Sequence, residues 1–303
     1  MPRMPAERAR TDAVMERPML IAQITDTHVS HAGSVNDRVY RTARHLERAV
    51  DHLRALRPRP DIVLVTGDLV EHGQPEEYAR LRGILDALDV PLYLIPGNHD
   101  AREALVDGFD HHRYLPRDGF VQYTVEDWPV RFIALDTLVP GESGGRLCAE
   151  RLGWLDARLA ERPERPTVLF MHHPPFVTGM AAMDHMGLDG GPALADVVRR
   201  HPQVERIVCG HLHRAIVRRF AGTVACTSPA TAHQLALDLP PAQRLAVVME
   251  PPACLLHLWL GASEGLVTHV SLIGDRHPPH VVFDGEQWLR GAEPPPGFHP
   301  DLS

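Results

Sequence analysis

The sequence predicts an α/β layer fold with largely buried strands, and three observations carry that prediction. From Pro18 onward short apolar runs alternate regularly with amphipathic stretches, the pattern of strands covered by helices. Each strand-like run ends where polar residues begin. Hydrophobic residues are 44% of the 303 and charged ones 23%, the usage of a packed globular chain long enough for one large core or two modest ones.

Met19–Ile24 reads as the first strand. Residues 38–56 follow as a helix, with Ala43, Leu46, Val50 and Leu53 recurring along one face. Residues 61–66 form the second strand. Residues 75–88 form a helix with Pro75 in its first turn and Glu76 and Glu77 placed to meet the positive end of the dipole. Strands then fall at Leu92–Ile95, Arg131–Leu135, Thr167–Met171 and Val204–Cys209, with helices at 149–161 and 191–201. After Arg214 strand-like runs dominate, at 215–220, Thr223–Thr227, 244–249, 253–260 and 266–273, which suggests a second sheet closing the fold.

These boundaries give a flexible N-terminal extension over 1–17, a catalytic domain over 18–274 and an irregular Pro- and His-rich tail or arm over 275–303. The first seventeen residues lack the apolar core of a secretory signal, and no apolar run could span a bilayer. A cytoplasmic protein with no membrane partner is therefore expected. Net charge is −8, from 31 basic and 39 acidic residues, without a long Lys or Arg run, so no nucleic-acid polymer is expected as partner. Cys148, Cys209, Cys226 and Cys254 form no C-x-x-C pair and read as buried free thiols. The strands over 244–273 could finish the second sheet or pair with another chain, and a homo-oligomer is expected.

Twenty histidines are the compositional departure. Five strands end in clusters: Asp26 and His28, then Asp68, then Asn98 and His99, then His172 and His173, then His211 and His213. One Asp-x-His alone means little, because Asp and Asn are ordinary turn formers and a lone His is often a surface residue. Five clusters after successive strands are another matter, since α/β sheets gather ligands at the carboxyl ends of their strands. Imidazole, carboxylate and amide oxygens suit Fe, Mn, Zn or Co, and the lack of Cys argues against a thiolate site. Seven ligands are too many for one tetrahedral ion and fit two divalent ions. Two such ions, about 3.5 to 4 Å apart, need a bridging anion, for which Asp68 is the candidate.

The segments IAQITDTHVS, VLVTGDLVEHG, LIPGNHD, LFMHHPPF and VCGHLH resemble, in order and spacing, the five signature blocks of the calcineurin-like metallophosphoesterase superfamily. The text from Gly73 to Tyr78, His172-His173-Pro174-Pro175, Met183-Asp184 and Pro252-Ala253-Cys254-Leu255 is similar to the bacterial branch of glycerophosphodiesterases and class III cyclic-nucleotide phosphodiesterases. The resemblance implies a four-layer α-β-β-α sandwich of two mixed sheets flanked by helices. It further implies that Asp26, His28 and His213 hold one ion and Asn98, His172 and His211 the other, with Asp68 shared and His173 not a ligand.

The implied activity is hydrolysis of small phosphodiesters, glycerophosphodiesters or 3',5'-cyclic nucleotides, by in-line attack of a metal-activated hydroxide. Asn98 would fix a phosphate oxygen, and His99 would assist the leaving alkoxide or orient substrate. Asp100 either fixes an imidazole tautomer or serves as a turn or helix-cap residue. Substrate choice falls to the loops over 29–39, 71–72, 178–189 and 229–234, where His31, His72, His185 and His233 are candidate contacts. A phosphomonoesterase of the same fold and a catalytically silent metal-binding scaffold are the alternatives.

Overall fold

The computed structural model describes residues 17–239, 244–274, 279–289 and 293–296. In chain order the first half comprises β1 (Met19–Ile24), α1 (Val35–Val39), α2 (Thr42–Ala55), β2 (Ile62–Thr66), α3 (Pro75–Leu85), β3 (Leu92–Ile95), α4 (Arg102–Gly108), β4 (Tyr123–Val125), β5 (Arg131–Leu135) and β6 (Gly145–Arg146). The second half comprises α5 (Ala149–Ala160), β7 (Thr167–Met171), α6 (Ala181–Asp184), β8 (Leu188–Asp189), α7 (Gly191–Arg200), β9 (Val204–Cys209), β10 (Ile216–Phe220), β11 (Thr223–Thr227), β12 (Gln234–Leu235), β13 (Val247–Val248), β14 (Ala253–Trp259) and β15 (Leu266–Leu272). No described helix is long and apolar enough to cross a membrane.

The helix expected over 38–56 is two helices. Ser34 caps α1 by accepting from the Asp37 amide, and Arg41 then adopts a left-handed φ of 52° before α2, which interrupts the i to i−4 ladder. Helix α3 opens on a reciprocal capping box between Gln74 and Glu77 and ends at Leu85, three residues short of the expected boundary. The first seventeen residues fall outside the description except for Arg17, and much of 275–303 does as well. The chain divides into two compact units, 1–273 and 274–303. Within the second, Phe283 and Trp288 form an antiparallel bridge.

Two mixed sheets form the body of the first unit. One runs β15-β14-β1-β2-β3, with β1, β2 and β3 parallel and β14 and β15 antiparallel; the other runs β10-β11-β9-β7-β5-β4, with its four inner strands parallel. The strand-rich stretch after Arg214 therefore does not close the second sheet alone. β10 and β11 extend that sheet, whereas β14 pairs with β1 in the first. Ala253, Cys254, Leu255 and Trp259 are buried along β14, so this pairing covers an edge of β1 that would otherwise leave a row of polar backbone open.

Alternation along β7 shows how the layers stack. Val168 and Phe170 pack in the cluster that holds Ile24, Val63 and Val65 of the first sheet. Their neighbours Leu169 and Met171 pack instead with Leu152 and Leu155 of α5 and Leu194 and Val198 of α7. Leu46 and Leu53 of α2 and Tyr78 and Leu81 of α3 cover the first sheet. The result is a four-layer α-β-β-α sandwich. Parallel strands with both faces covered read as continuous apolar runs, which is why β1, β2, β5 and β7 are buried at every position.

Candidate metal centre

The parallel strands β1, β2, β3, β7 and β9 all end on one side, and their trailing loops bring the five clusters together. Backbone bonds lock the loops to one another: the Asp26 amide donates to the Gly67 carbonyl (3.0 Å), that of His28 to Asp68 (3.0 Å), and that of Gly210 to His172 (3.0 Å). Seven non-glycine residues among those described have positive φ, and five of them are Asp26, His28, Asp68, His211 and His213. Left-handed backbone at such residues is strained and concentrates at functional sites.

The Asp68 carboxylate lies between two imidazole groups. Its Oδ2 is 3.3 Å from His172 Nε2 and 3.7 Å from His28 Nε2, while its Oδ1 accepts the His99 amide at 3.0 Å. On one side His28 Nε2 stands 3.2 Å from His213 Nε2, which is 3.3 Å from Asp26 Oδ1. On the other, His172 Nε2 is 3.2 Å from Asn98 Oδ1, and the His211 ring lies 5.1 Å from that of His172.

The opposite nitrogen of each ring has its own acceptor. His172 Nδ1 donates to the Thr66 carbonyl (2.9 Å), His213 Nδ1 to the His233 carbonyl (3.0 Å), His211 Nε2 to the Met186 carbonyl (3.0 Å) and His28 Nδ1 to the Glu71 carboxylate (2.8 Å). A carbonyl only accepts, so these bonds place one proton on the outer nitrogen of each ring and leave the inward nitrogens to hold a further proton or a metal. His28 Nε2 and His213 Nε2, 3.2 Å apart, face each other with a proton or a metal between them. The donor set fits two divalent cations, one near Asp26, His28 and His213 and one near Asn98, His172 and His211, with Asp68 within reach of both.

Charges respond to the same field. Burial opposes ionisation of Asp68, yet His172, His99 and His28 hold its carboxyl well below the usual range. Burial likewise opposes charge on Asp26, and His213 more than offsets it, keeping that carboxyl low. His172 is pushed up to about 9 because the Asp68 charge outweighs burial, whereas His211 is pushed down to about 4 by burial and by His172. The buried acids therefore demand positive charge.

A cavity of about 370 Å³ opens over this cluster, the size of a small-ligand site. Asn36, Tyr40, Glu71, His99 and His233 line one part, and none of the described lining residues is Lys or Arg. His233 is the candidate substrate contact that reaches the cavity. His31 and His72 pair with each other outside it, 6.2 Å between rings, and His72 bonds to Glu77. His185 lines a neighbouring hollow with Phe176 and Leu188, its Nδ1 donating to the Ala181 carbonyl.

A profile of the calcineurin-like phosphoesterase family matches residues 19–215, the span that carries all five clusters. The chain belongs to the calcineurin-like phosphoesterase family. Among family relatives, a probable glycerophosphodiester phosphodiesterase of Arcobacter nitrofigilis is 36% identical over 267 residues, covering 88% of this chain and 97% of that protein. A probable cyclic nucleotide phosphodiesterase of Synechococcus is 36% identical over 231 residues, 76% of this chain and 88% of its own. A dimetal phosphatase from Danio rerio shares the family fold with a TM-score of 0.59 at 18% identity, covering 84% of this chain and 99% of that one.

One expectation changes in detail. Asp100 touches no imidazole. Its carboxylate accepts from the amides of Leu69 (3.0 Å), Val70 (3.3 Å) and Gly97 (2.8 Å) and from the Tyr78 hydroxyl (2.8 Å), so it ties the β2 and β3 loops to α3. Those amides converge on Asp100, which satisfies its oxygens without a ring nitrogen. His173 lies beside His172 and His211, its ring 4.8 and 4.5 Å from theirs, with Nδ1 on Thr137 Oγ1 (2.8 Å) and Nε2 on the Ser143 carbonyl (3.1 Å). Glu71 was legible only as part of a loop; its bond to His28 had no signal in the sequence.

Proposed function

We propose that this family member is a phosphodiesterase acting on small diesters, glycerophosphodiesters or 3',5'-cyclic nucleotides, with Asp26, His28, Asp68 and His213 holding one divalent ion and Asp68, Asn98, His172 and His211 the second. The observation that carries this reading is the Asp68 carboxylate set between His28 and His172. Fe, Mn, Zn and Co all suit the donors. When bound, two such ions lower the pKa of a water and neutralise charge on the phosphoryl oxygens.

The chain's own groups complete the chemistry. Asn98 presents a carboxamide at the cavity, able to hold a non-bridging oxygen in place. His99 donates Nδ1–H to the Glu71 carbonyl (3.0 Å), which orients the ring and leaves Nε2 as the atom that passes a proton to the departing alkoxide. Burial opposes charge on His99, and the nearby Asp68 and Glu71 carboxylates raise its basicity. Tyr40 packs on His233, 4.8 Å between rings, and bounds the room left for the ester groups.

A diester carries one negative charge and a monoester two. The absence of Lys and Arg from the described lining supports the diester over the monoester. Exposed Val270 and Leu272 on the outer strand β15 support self-association, and a cytoplasmic location completes the reading.

The test is a turnover panel on metal-reconstituted protein: bis(p-nitrophenyl) phosphate, cyclic AMP, glycerophosphocholine and p-nitrophenyl phosphate. Diesters should dominate. A large preference for the monoester would overturn the substrate class, and no turnover with two metals bound would favour a silent scaffold.

A further inference from the structure

The cavity over the metal centre has a second, apolar wall that the hydrolysis of a small polar diester does not use. Met183, Met186, Leu235, Leu245 and Val247 line it. Two of these lie on a two-stranded ribbon in which Gln234 pairs with Val248 and Leu235 with Val247; the Ala236 amide donates to the Ala246 carbonyl at 2.8 Å, one step further, and Leu245 follows directly beyond it.

Leu235 and Val247 are directly opposite in that pairing and share a face, and Leu245 lines the cavity with them. Leu245 is 52% exposed and Val247 42%. Aliphatic side chains left open together, beside a reaction centre, mark a surface that something covers.

This wall faces the chain's own cavity, where Leu235 packs in one cluster with Met180 and Met183 and with Met186 beside them. Leu239, beyond the end of β12, reaches the start of the segment that carries these methionines, its Cδ2 3.7 Å from where a Cβ on Gly179 would stand. Polar groups, Asn36, Tyr40 and Glu71, lie elsewhere on the cavity wall. The cavity is therefore two-sided in chemistry, and Met side chains adapt to irregular apolar ligands.

We propose that the apolar face of the β12–β13 ribbon, with Met183 and Met186, is a subsite for a carbon-rich ester arm of the phosphodiester. The substrate class becomes a singly charged diester with one polar and one aliphatic or aromatic substituent. This rests on the diesterase reading above, so its test is a binding measurement that needs no turnover.

Titration calorimetry on the full Mn²⁺-loaded protein would compare methyl, butyl and hexyl methylphosphonate, singly charged esters that differ only in the arm. Full burial of a methylene is worth roughly fourfold in affinity; a half-open wall should give about twofold each, or roughly 30-fold from methyl to hexyl. The double variant Leu245→Ser with Val247→Ser should flatten that ratio to under about threefold, and Val217→Ser, an exposed change on β10, should leave it intact. The ratio is internal to each protein, so a modest loss of stability does not blur it.

Equal affinities across the series, or an unchanged ratio in the double variant, would overturn the subsite. So would a fall in molar mass by light scattering in that variant, which would assign the face to a second copy of the chain. Chain-length-dependent binding in a protein that hydrolyses no diester would support the subsite and sink the hydrolytic reading instead.

Discussion

Gly97 lies so close against Asp68 that a Cβ on it would run into the Asp68 carboxylate and backbone amide. A collision with backbone is not relieved by a rotamer change, so the PGNHD loop and the GD turn could not both keep their places. Gly97→Ala should displace the bridging carboxylate, leave fewer than two metals per chain by elemental analysis and lower kcat by at least about 100-fold. Gly83, with open space around it in α3, is the control: Gly83→Ala should raise stability by about 1 kcal/mol and spare activity.

Removing the bridging charge directly gives a sharper test. Asp68→Asn should keep the fold and the His99 amide contact but bind one metal and lose most turnover. Chelation should lower the Tm of the wild type, because a ligand at 100 times its Kd adds about 2.7 kcal/mol to the folded state. The same treatment should move the Tm of Asp68→Asn much less. Two tightly held metals and full activity in that variant would remove Asp68 from the centre.

Glu71 is the acceptor that sets His28 apart. His172, His211 and His213 lean on backbone carbonyls, whereas His28 Nδ1 leans on the Glu71 carboxylate at 2.8 Å. Partners of this kind typically hold 10- to 100-fold in metal affinity. Glu71→Gln should weaken one of the two metal sites by about 10-fold in a competition titration with a chromophoric chelator, with His99 still held by the Glu71 backbone carbonyl. Equal loss at both sites would mean that Glu71 acts on the loop as a whole.

Local signals made the strands and clusters legible. A run such as Ile62–Thr66 followed by Gly67 and Asp68 announces both a buried strand and what stands at its end, within one window of sequence. Pairing partners are a different problem. β14 joins β1 across more than two hundred residues of chain, and its apolar run would have suited either sheet. His31, His72 and His185 were selected by residue type alone, and nothing local separates a loop imidazole that bonds to Glu77 from one that faces a cavity. The ribbon was only half legible: the apolar run at 244–249 signalled a strand, of which 247–248 pairs, but its partner at 234–235 is too short to stand out.

A buried polar ladder links the far side of the first sheet to the metal ligands and makes a prediction about acid. His257 on β14 accepts from Thr268 Oγ1 at Nδ1 (2.9 Å) and donates from Nε2 to Gln23 Oε1 (3.1 Å); Gln23 Nε2 donates to Thr66 Oγ1 (2.9 Å), and the Thr66 carbonyl receives His172 Nδ1. The bond accepted from Thr268 needs a neutral His257. Burial, reinforced by Arg206, pushes its pKa down to about 3 from 6.5. Below pH 6.5 the unfolded chain therefore binds a proton that the folded chain refuses, so stability falls with pH from 6.5 toward 3, by up to about 1.4 kcal/mol per unit from this group. His257→Gln can keep both bonds, one accepted and one donated, without titrating. Urea unfolding of the metal-free proteins at pH 6.5, 5.5 and 4.5 should show the wild type losing stability more steeply than the variant, by about 1 kcal/mol per unit. Parallel pH slopes would mean that His257 does not carry the acid sensitivity and that the ladder serves only to hold Gln23 in place.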